Sequence, residues 1–199
     1  MSVNLGNQAL ERAGKLRQEA DIVLGKIRAF EVLQPYGKVY LTGSYFLDVM
    51  AYPDIDLYLT KISLEQVFTI GAQFAQNELV TQVVFEKTDD PVHLPEGLYL
   101  KARVKYGDWG RPWKFDIWSL DEKVIQHKMA DMLHFQQRMT PTVRQLILRY
   151  KLSILTADKR TSMYSGYYIY RAFIDEGLTD FERVTDYLIK NHIRVDVRG

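Results

Sequence analysis

Two aspartates separated by one residue lie in the run Asp54-Ile-Asp-Leu-Tyr-Leu-Thr60. In an extended strand the side chains alternate between faces. Ile55, Leu57 and Leu59 then point one way, and Asp54, Asp56 and Tyr58 the other. The two carboxylates would stand roughly 6–7 Å apart along the strand. Like charges so placed repel, and burying either without a partner is costly. A divalent cation answers both problems, and hard oxygen ligands suit Mg²⁺. Upstream, Val39-Tyr-Leu-Thr42 reads as a short strand broken by Gly43-Ser44. A glycine lets backbone approach a ligand closely. A serine there can cap a helical turn, whose free amides attract phosphate. A phosphate cradle thus precedes a metal-binding carboxylate pair.

Gly-Ser followed by Asp-Ile-Asp on the next strand resembles the signature of the polymerase-beta-like nucleotidyltransferase superfamily. That family draws a third carboxylate from a later strand, and Lys114-Phe-Asp-Ile-Trp118 offers Asp116 between apolar neighbours. The resemblance runs from about Lys38 to Leu120, with weaker echoes to about Phe173. It implies transfer of a nucleoside monophosphate from an NTP, with release of pyrophosphate. Asp54, Asp56 and Asp116 would be the catalytic and metal-binding residues for two Mg²⁺ ions, with Mn²⁺ as a substitute. Such ions stand roughly 3.5–4 Å apart. Asp116 could also take the acceptor's proton, while the Gly43 amide and Ser44 would hold the terminal phosphates.

Farther on, Arg149-Tyr-Lys-Leu152, then Ala157-Asp-Lys-Arg160, then Ser165-Gly-Tyr167, are similar in order to the helical annex of template-independent members of the superfamily. On that likeness Lys151 would meet the β- or γ-phosphate, Ser165 would hydrogen-bond a phosphate and Tyr167 would stack on the base. Gly166, between the serine and the tyrosine, departs from the pattern.

The elements that must position these residues read as α+β: a nucleotidyltransferase-like mixed β-sheet flanked by helices, with a helical C-terminal half. Asn4 to Leu33 carries an apolar helical stripe ending at Pro35-Tyr-Gly37. Ser63 with Gln66 forms a capping box for a helix to about Asn77. Leu79–Lys87 is β-rich, and residues 88–97 form a loop. Leu98–Tyr106 alternates strictly, placing Tyr99, Lys101, Arg103 and Lys105 on one face. The turn Gly107–Gly110 leads to the strand bearing Asp116. Helices are expected over Asp121–Arg138, Pro141–Thr156, Ser162–Asp175 and Asp180–Asn191. Val124, Ile125, Met129, Met132 and Leu133 would be the apolar side of the first. His127, Asp131 and His134 share its opposite face, which reads as solvated surface rather than a zinc site. Residues 1–120 are expected to form the catalytic core with its N-terminal helix, and 121–199 a helical region packed on it.

The chain has 199 residues, no cysteine and a formal net charge of +1. Disulfides and thiolate metal sites are excluded. No apolar run approaches a membrane span, and no secretory leader is apparent. The expected location is cytoplasmic. Near-neutral charge argues against a general nucleic-acid binder. The expected partners are therefore an NTP, with ATP foremost, and a small-molecule or protein hydroxyl acceptor, with nucleic acid disfavoured. The alternatives are a nucleotide- or partner-binding module without turnover, an RNA-tailing enzyme, or a metal-dependent phosphohydrolase. Oligomeric state and acceptor are not legible.

Overall fold

Five stretches rich in β-branched and aromatic residues pair into one mixed sheet: β1 (Val39–Thr42), β2 (Asp54–Thr60), β3 (Val80–Lys87), β4 (Leu98–Val104) and β5 (Trp113–Leu120). The computed structural model describes residues 2–87, 97–155, 165–193 and 195. The sheet order is β1-β2-β5-β4-β3. β2 and β5 run parallel, and every other pair is antiparallel. The parallel pairing puts Asp56 opposite Asp116 and Asp54 opposite Lys114. Two strands far apart in sequence thus bring the carboxylates to one face.

The opposite face is dry. Ile55, Leu57, Leu59, Leu100, Ala102, Val104, Phe115 and Ile117 join one buried cluster with Leu16, Ala20, Val23 and Leu24 of α1 (Ser2–Lys26), with Ile27 just after it, and with Val67, Ile70 and Phe74 of α4 (Leu64–Ala75). Ser63 caps α4 reciprocally with Gln66, as expected. A second cluster gathers Ala9 and Ala13 of α1 with α5 (Glu122–Arg138), α6 (Pro141–Ser153), α7 (Ser165–Ile174) and α8 (Phe181–Lys190). One long helix thereby braces both cores.

Some boundaries differ from expectation. The Asn4–Leu33 helix is two helices, α1 and α2 (Ala29–Leu33). Arg28 turns left-handed (φ 54°), and its amide bonds the Gly25 carbonyl three residues back, which ends the α-ladder. The turn lets Ala29 and Leu33 be buried against the sheet cluster. On α5, Leu133 is exposed rather than apolar-side. Phe135 is buried in its stead, edge-on to Tyr167 and Tyr170 of α7. Lys105 lies beyond the end of β4. Most of the loop expected over 88–97, the Ala157–Arg160 stretch, and the start of the helix expected from Ser162 lie outside the described residues. No described helix is long and apolar enough to cross a membrane.

Candidate active site

The Gly43-Ser44 turn is a four-residue helix, α3 (Gly43–Phe46), between β1 and β2. Its N-cap position is Thr42 rather than Ser44, and Ser44 is buried inside the turn. Gly43 has φ +59°, and a Cβ built there would overlap the Asp56 carboxylate. Only glycine fits a left-handed position pressed so close to a charged group.

From there to Pro53 the chain is held by cations. Arg17 Nη1 donates to the Tyr45 carbonyl (2.6 Å), Arg144 Nε to Asp48 (2.8 Å), Lys151 Nζ to Val49 (2.9 Å) and Arg12 Nε to Ala51 (2.8 Å). Arg12 and Arg17 come from α1, and Arg144 and Lys151 from α6. Both helices therefore set the loop that precedes the aspartates.

Asp54, Asp56 and Asp116 each present a carboxylate oxygen within 4.8 Å of the others. Asp54 and Asp116 are buried, while Asp56 stays partly open. Lys114 Nζ lies 3.2 Å from Asp54 Oδ2 and 2.5 Å from Asp116 Oδ2. The Tyr99 hydroxyl donates to Asp116 Oδ1 at 2.6 Å, and its ring stacks on Trp118 at 4.1 Å. Asp54 Oδ1 is buried with no hydrogen-bond partner.

Burial pushes the Asp54 carboxyl up, with Lys114 opposing and Asp116 adding to the rise. Burial, then Asp54 and Asp116, push Asp56 well up. Burial works against the Lys114 charge, yet Asp54, Asp116 and Asp56 outweigh it and hold the amine above the usual lysine range. A buried acceptor without a donor and a crowded carboxylate group are both relieved by a divalent cation. The residues therefore fit a metal: Asp54 Oδ1 and the Asp56 carboxylate are the oxygens left open to it.

Of the annex residues, Lys151 stands close enough to Asp54 and Asp56 for their charges to act on it. Lys151 is 1% exposed, and its Nζ lies 5.0 Å from the Tyr52 ring and 5.8 Å from that of Tyr170. Burial lowers its pKa to about 8, against the pull of Asp54 and Asp56. Ser165 is buried at the first position of α7. The Tyr167 hydroxyl donates to Asp131 at 3.1 Å, and Tyr58 senses both Asp131 and Tyr167. His134, expected on the solvated surface, is exposed there and pairs with Asp175 at 2.7 Å.

Sequence reasoning missed four residues here. Lys114 shares the Asp116 face by strand alternation, so its placement was legible but its bridging of two strands was not. Tyr99 lies diagonal to Asp116 across the β4–β5 register. Tyr170 is held in a neutral state by burial and by the nearness of Tyr52, Asp56 and Asp54. A Cβ on Gly166 would come 3.3 Å from the Tyr170 hydroxyl, so the glycine that breaks the serine-tyrosine pattern makes room for that tyrosine. Tyr52 carried no spacing signal.

No family model matches the chain. No curated protein matches it in sequence either. Solved structures do match in shape. The GLD-2/RNP-8 complex aligns at TM-score 0.56 and 12% identity, over 90% of this chain and 64% of that one. The poly(A) polymerase complex GLD-2–GLD-3 aligns at TM-score 0.52 and 16% identity, over 88% and 60%. The Cid1 poly(U) polymerase aligns at TM-score 0.49 and 15% identity, and this chain spans 48% of its length.

The match to a poly(A) polymerase complex overturns the expectation against a nucleic-acid partner. That expectation rested on the net charge of +1, a sum over the whole chain. Such a sum says nothing of where the charges sit: Lys101, Arg103 and Lys114 share the carboxylate face of the sheet by register, and Arg111 lies near enough to Asp54 to favour its charge. The mixed sheet, its flanking helices and the three-aspartate group give this chain the fold of the polymerase-beta-like nucleotidyltransferases.

Proposed function

We propose that the chain is a metal-dependent nucleotidyltransferase that moves a nucleoside monophosphate from an NTP to the terminal hydroxyl of an RNA. The carrying observation is the group of three carboxylates with a buried, unpaired Asp54 oxygen. The resemblance to a poly(A) polymerase complex supports RNA as the acceptor and makes ATP the first nucleotide to try. Because the chain spans 64% or less of the compared structures, the substrate and partners of a whole protein are part of this proposal.

In this reading the acceptor oxygen bonds to the α-phosphorus. The bond from that phosphorus to the bridging oxygen of the β-phosphate breaks, and pyrophosphate leaves. Asp54, Asp56 and Asp116 would hold the divalent ions, Mg²⁺ or Mn²⁺. When bound, such ions lower the pKa of the acceptor hydroxyl and neutralise charge on the triphosphate. Asp116 receives the hydroxyl proton, with Tyr99 orienting the carboxyl group through its hydrogen bond. Gly43 lets backbone amides close on the terminal phosphates, with Ser44 beside them. Lys151 neutralises the β- or γ-phosphate, Ser165 hydrogen-bonds a phosphate and Tyr167 stacks on the base. Residues 1–120 act as the catalytic core and 121–199 as the helical annex that completes the nucleotide site. Positioning and charge neutralisation supply most of the rate in such transfers.

The test is a gel assay of a labelled short RNA with each of the four NTPs and Mg²⁺ or Mn²⁺. NTP-dependent lengthening that disappears with chelator and in Asp56→Asn supports the reading. No lengthening with any nucleotide and either metal, on a folded chain that binds NTP, overturns it in favour of a binding module.

A further inference from the structure

We propose that Lys114 is a tethered cation standing in the place of a second metal ion, so that the nucleotide-free site takes one divalent ion and a triphosphate must draw the lysine away before another enters. This rests on the nucleotidyltransferase reading above.

Lys114 Nζ bridges carboxylates from two strands, Asp54 on β2 and Asp116 on β5. With the Tyr99 hydroxyl on its other oxygen, Asp116 has both oxygens engaged. The oxygens left without such a partner are Asp54 Oδ1 and those of the Asp56 carboxylate, and one oxygen of each aspartate lies within 4.8 Å of the others.

The charge balance agrees. Three ionised carboxylates against the Lys114 ammonium, with the charges of Lys151 and Arg111 also near, leave at most two negative charges, which one divalent ion is enough to cancel. A second ion without nucleotide would leave an uncompensated double positive charge in a largely buried site, which is costly. A triphosphate brings the negative charge that both a second ion and a displaced lysine require. Mg²⁺ is commonly held by one or two carboxylates plus substrate phosphates.

Lys114 is also built to move. Its side chain is 22% exposed on a flexible stem, and an ammonium is a point charge without a fixed fork to realign. Lys151 is the contrast, being 1% exposed and fixed to the Val49 carbonyl.

The experiment is Mn²⁺ binding to the full chain, read by the electron paramagnetic resonance signal of free Mn²⁺, with no RNA present. Wild type without nucleotide is expected to bind one ion. With a non-hydrolysable triphosphate it should bind two. Lys114→Met without nucleotide should bind two ions, or one at least tenfold more tightly, and Lys114→Arg should behave as wild type. Lys114→Gln gives the same reading where the methionine variant does not fold. Two ions on nucleotide-free wild type overturn the inference without any variant. Equal stoichiometry and affinity in wild type and the neutral variants also overturn it and leave the nucleotidyltransferase reading standing. No Mn²⁺ bound by any form, with or without triphosphate, overturns both.

Discussion

Along β2, Ile55, Leu57 and Leu59 alternate with Asp54, Asp56 and Tyr58, and the two sets live in opposite environments. On the α1/α4 side the three aliphatics are fully buried among carbon neighbours. On the other side the same backbone presents crowded carboxylates, one oxygen of them without a partner, and two lysines with perturbed charge. Burial stabilises the first side at about 25 cal/mol per Å² of apolar surface removed from water. On the second side burial opposes the charges. The difference teaches that one sheet can carry both stability and a site because a strand repeats every two residues: each position belongs to one task.

The strongest way to break this comparison is Asp56→Asn. If the site face is built for metal and nucleotide rather than for folding, transfer should fall on the order of 10³-fold or more, about 4 kcal/mol of transition-state stabilisation. The melting temperature of the metal-free protein should stay level or rise, because a repelling charge is gone. A large loss of metal-free stability would show that the acidic face holds the fold.

The converse change is Phe115→Ala, one residue before Asp116 and pointing to the dry side. We expect a loss of roughly 3–5 kcal/mol in urea unfolding from the cavity left behind. If the folded fraction binds Mn²⁺ as wild type does, the faces are separable. An unfolding cost below about 1 kcal/mol would contradict close packing on that side.

The pH dependence sharpens the contrast within the charged region. Lys151 has its pKa lowered to about 8 by burial. Between that value and its unfolded value near 10.5, the unfolded chain binds more protons. Its contribution to stability therefore rises with pH across that window, by at most about 3 kcal/mol. Urea unfolding of wild type and Lys151→Met at pH 7.5 and 10 should show wild type gaining on the variant. A constant difference would mean the amine is not buried as described.

The smallest effect concerns nucleotide selectivity. If Lys151 serves a terminal phosphate, Lys151→Ala should weaken NTP more than NMP, by a few kcal/mol at most. Equal weakening of both, measured by calorimetry, would leave Lys151 as a brace of the 45–51 loop alone.

The order Gly43-Ser44, Asp54-Ile-Asp56, Asp116 and the two-residue alternation around it were legible in the chain, since both depend on local geometry that the backbone repeats. The capping box of Ser63 and Gln66 was legible for the same reason. What could not be read were relations set by distant packing. The α1/α2 break depends on a left-handed Arg28 that carries no glycine or proline signal. Phe135 replaced Leu133 in the core because α7 packs on that side of α5, and no helical stripe reveals which neighbour it will meet.

The same division runs through the site. The residue types, with their spacing along each strand, determined that carboxylates would line one face. Only the parallel register of β2 with β5 decided that Lys114 would sit between Asp54 and Asp116 and that Tyr99 would reach Asp116. Only the packing of α6 and α7 decided that Lys151 and Tyr170 would close in on the aspartates. The physical reason is range. Strand alternation is settled within a few residues, whereas the field at a buried carboxylate is the sum of charges brought together from more than a hundred residues of chain.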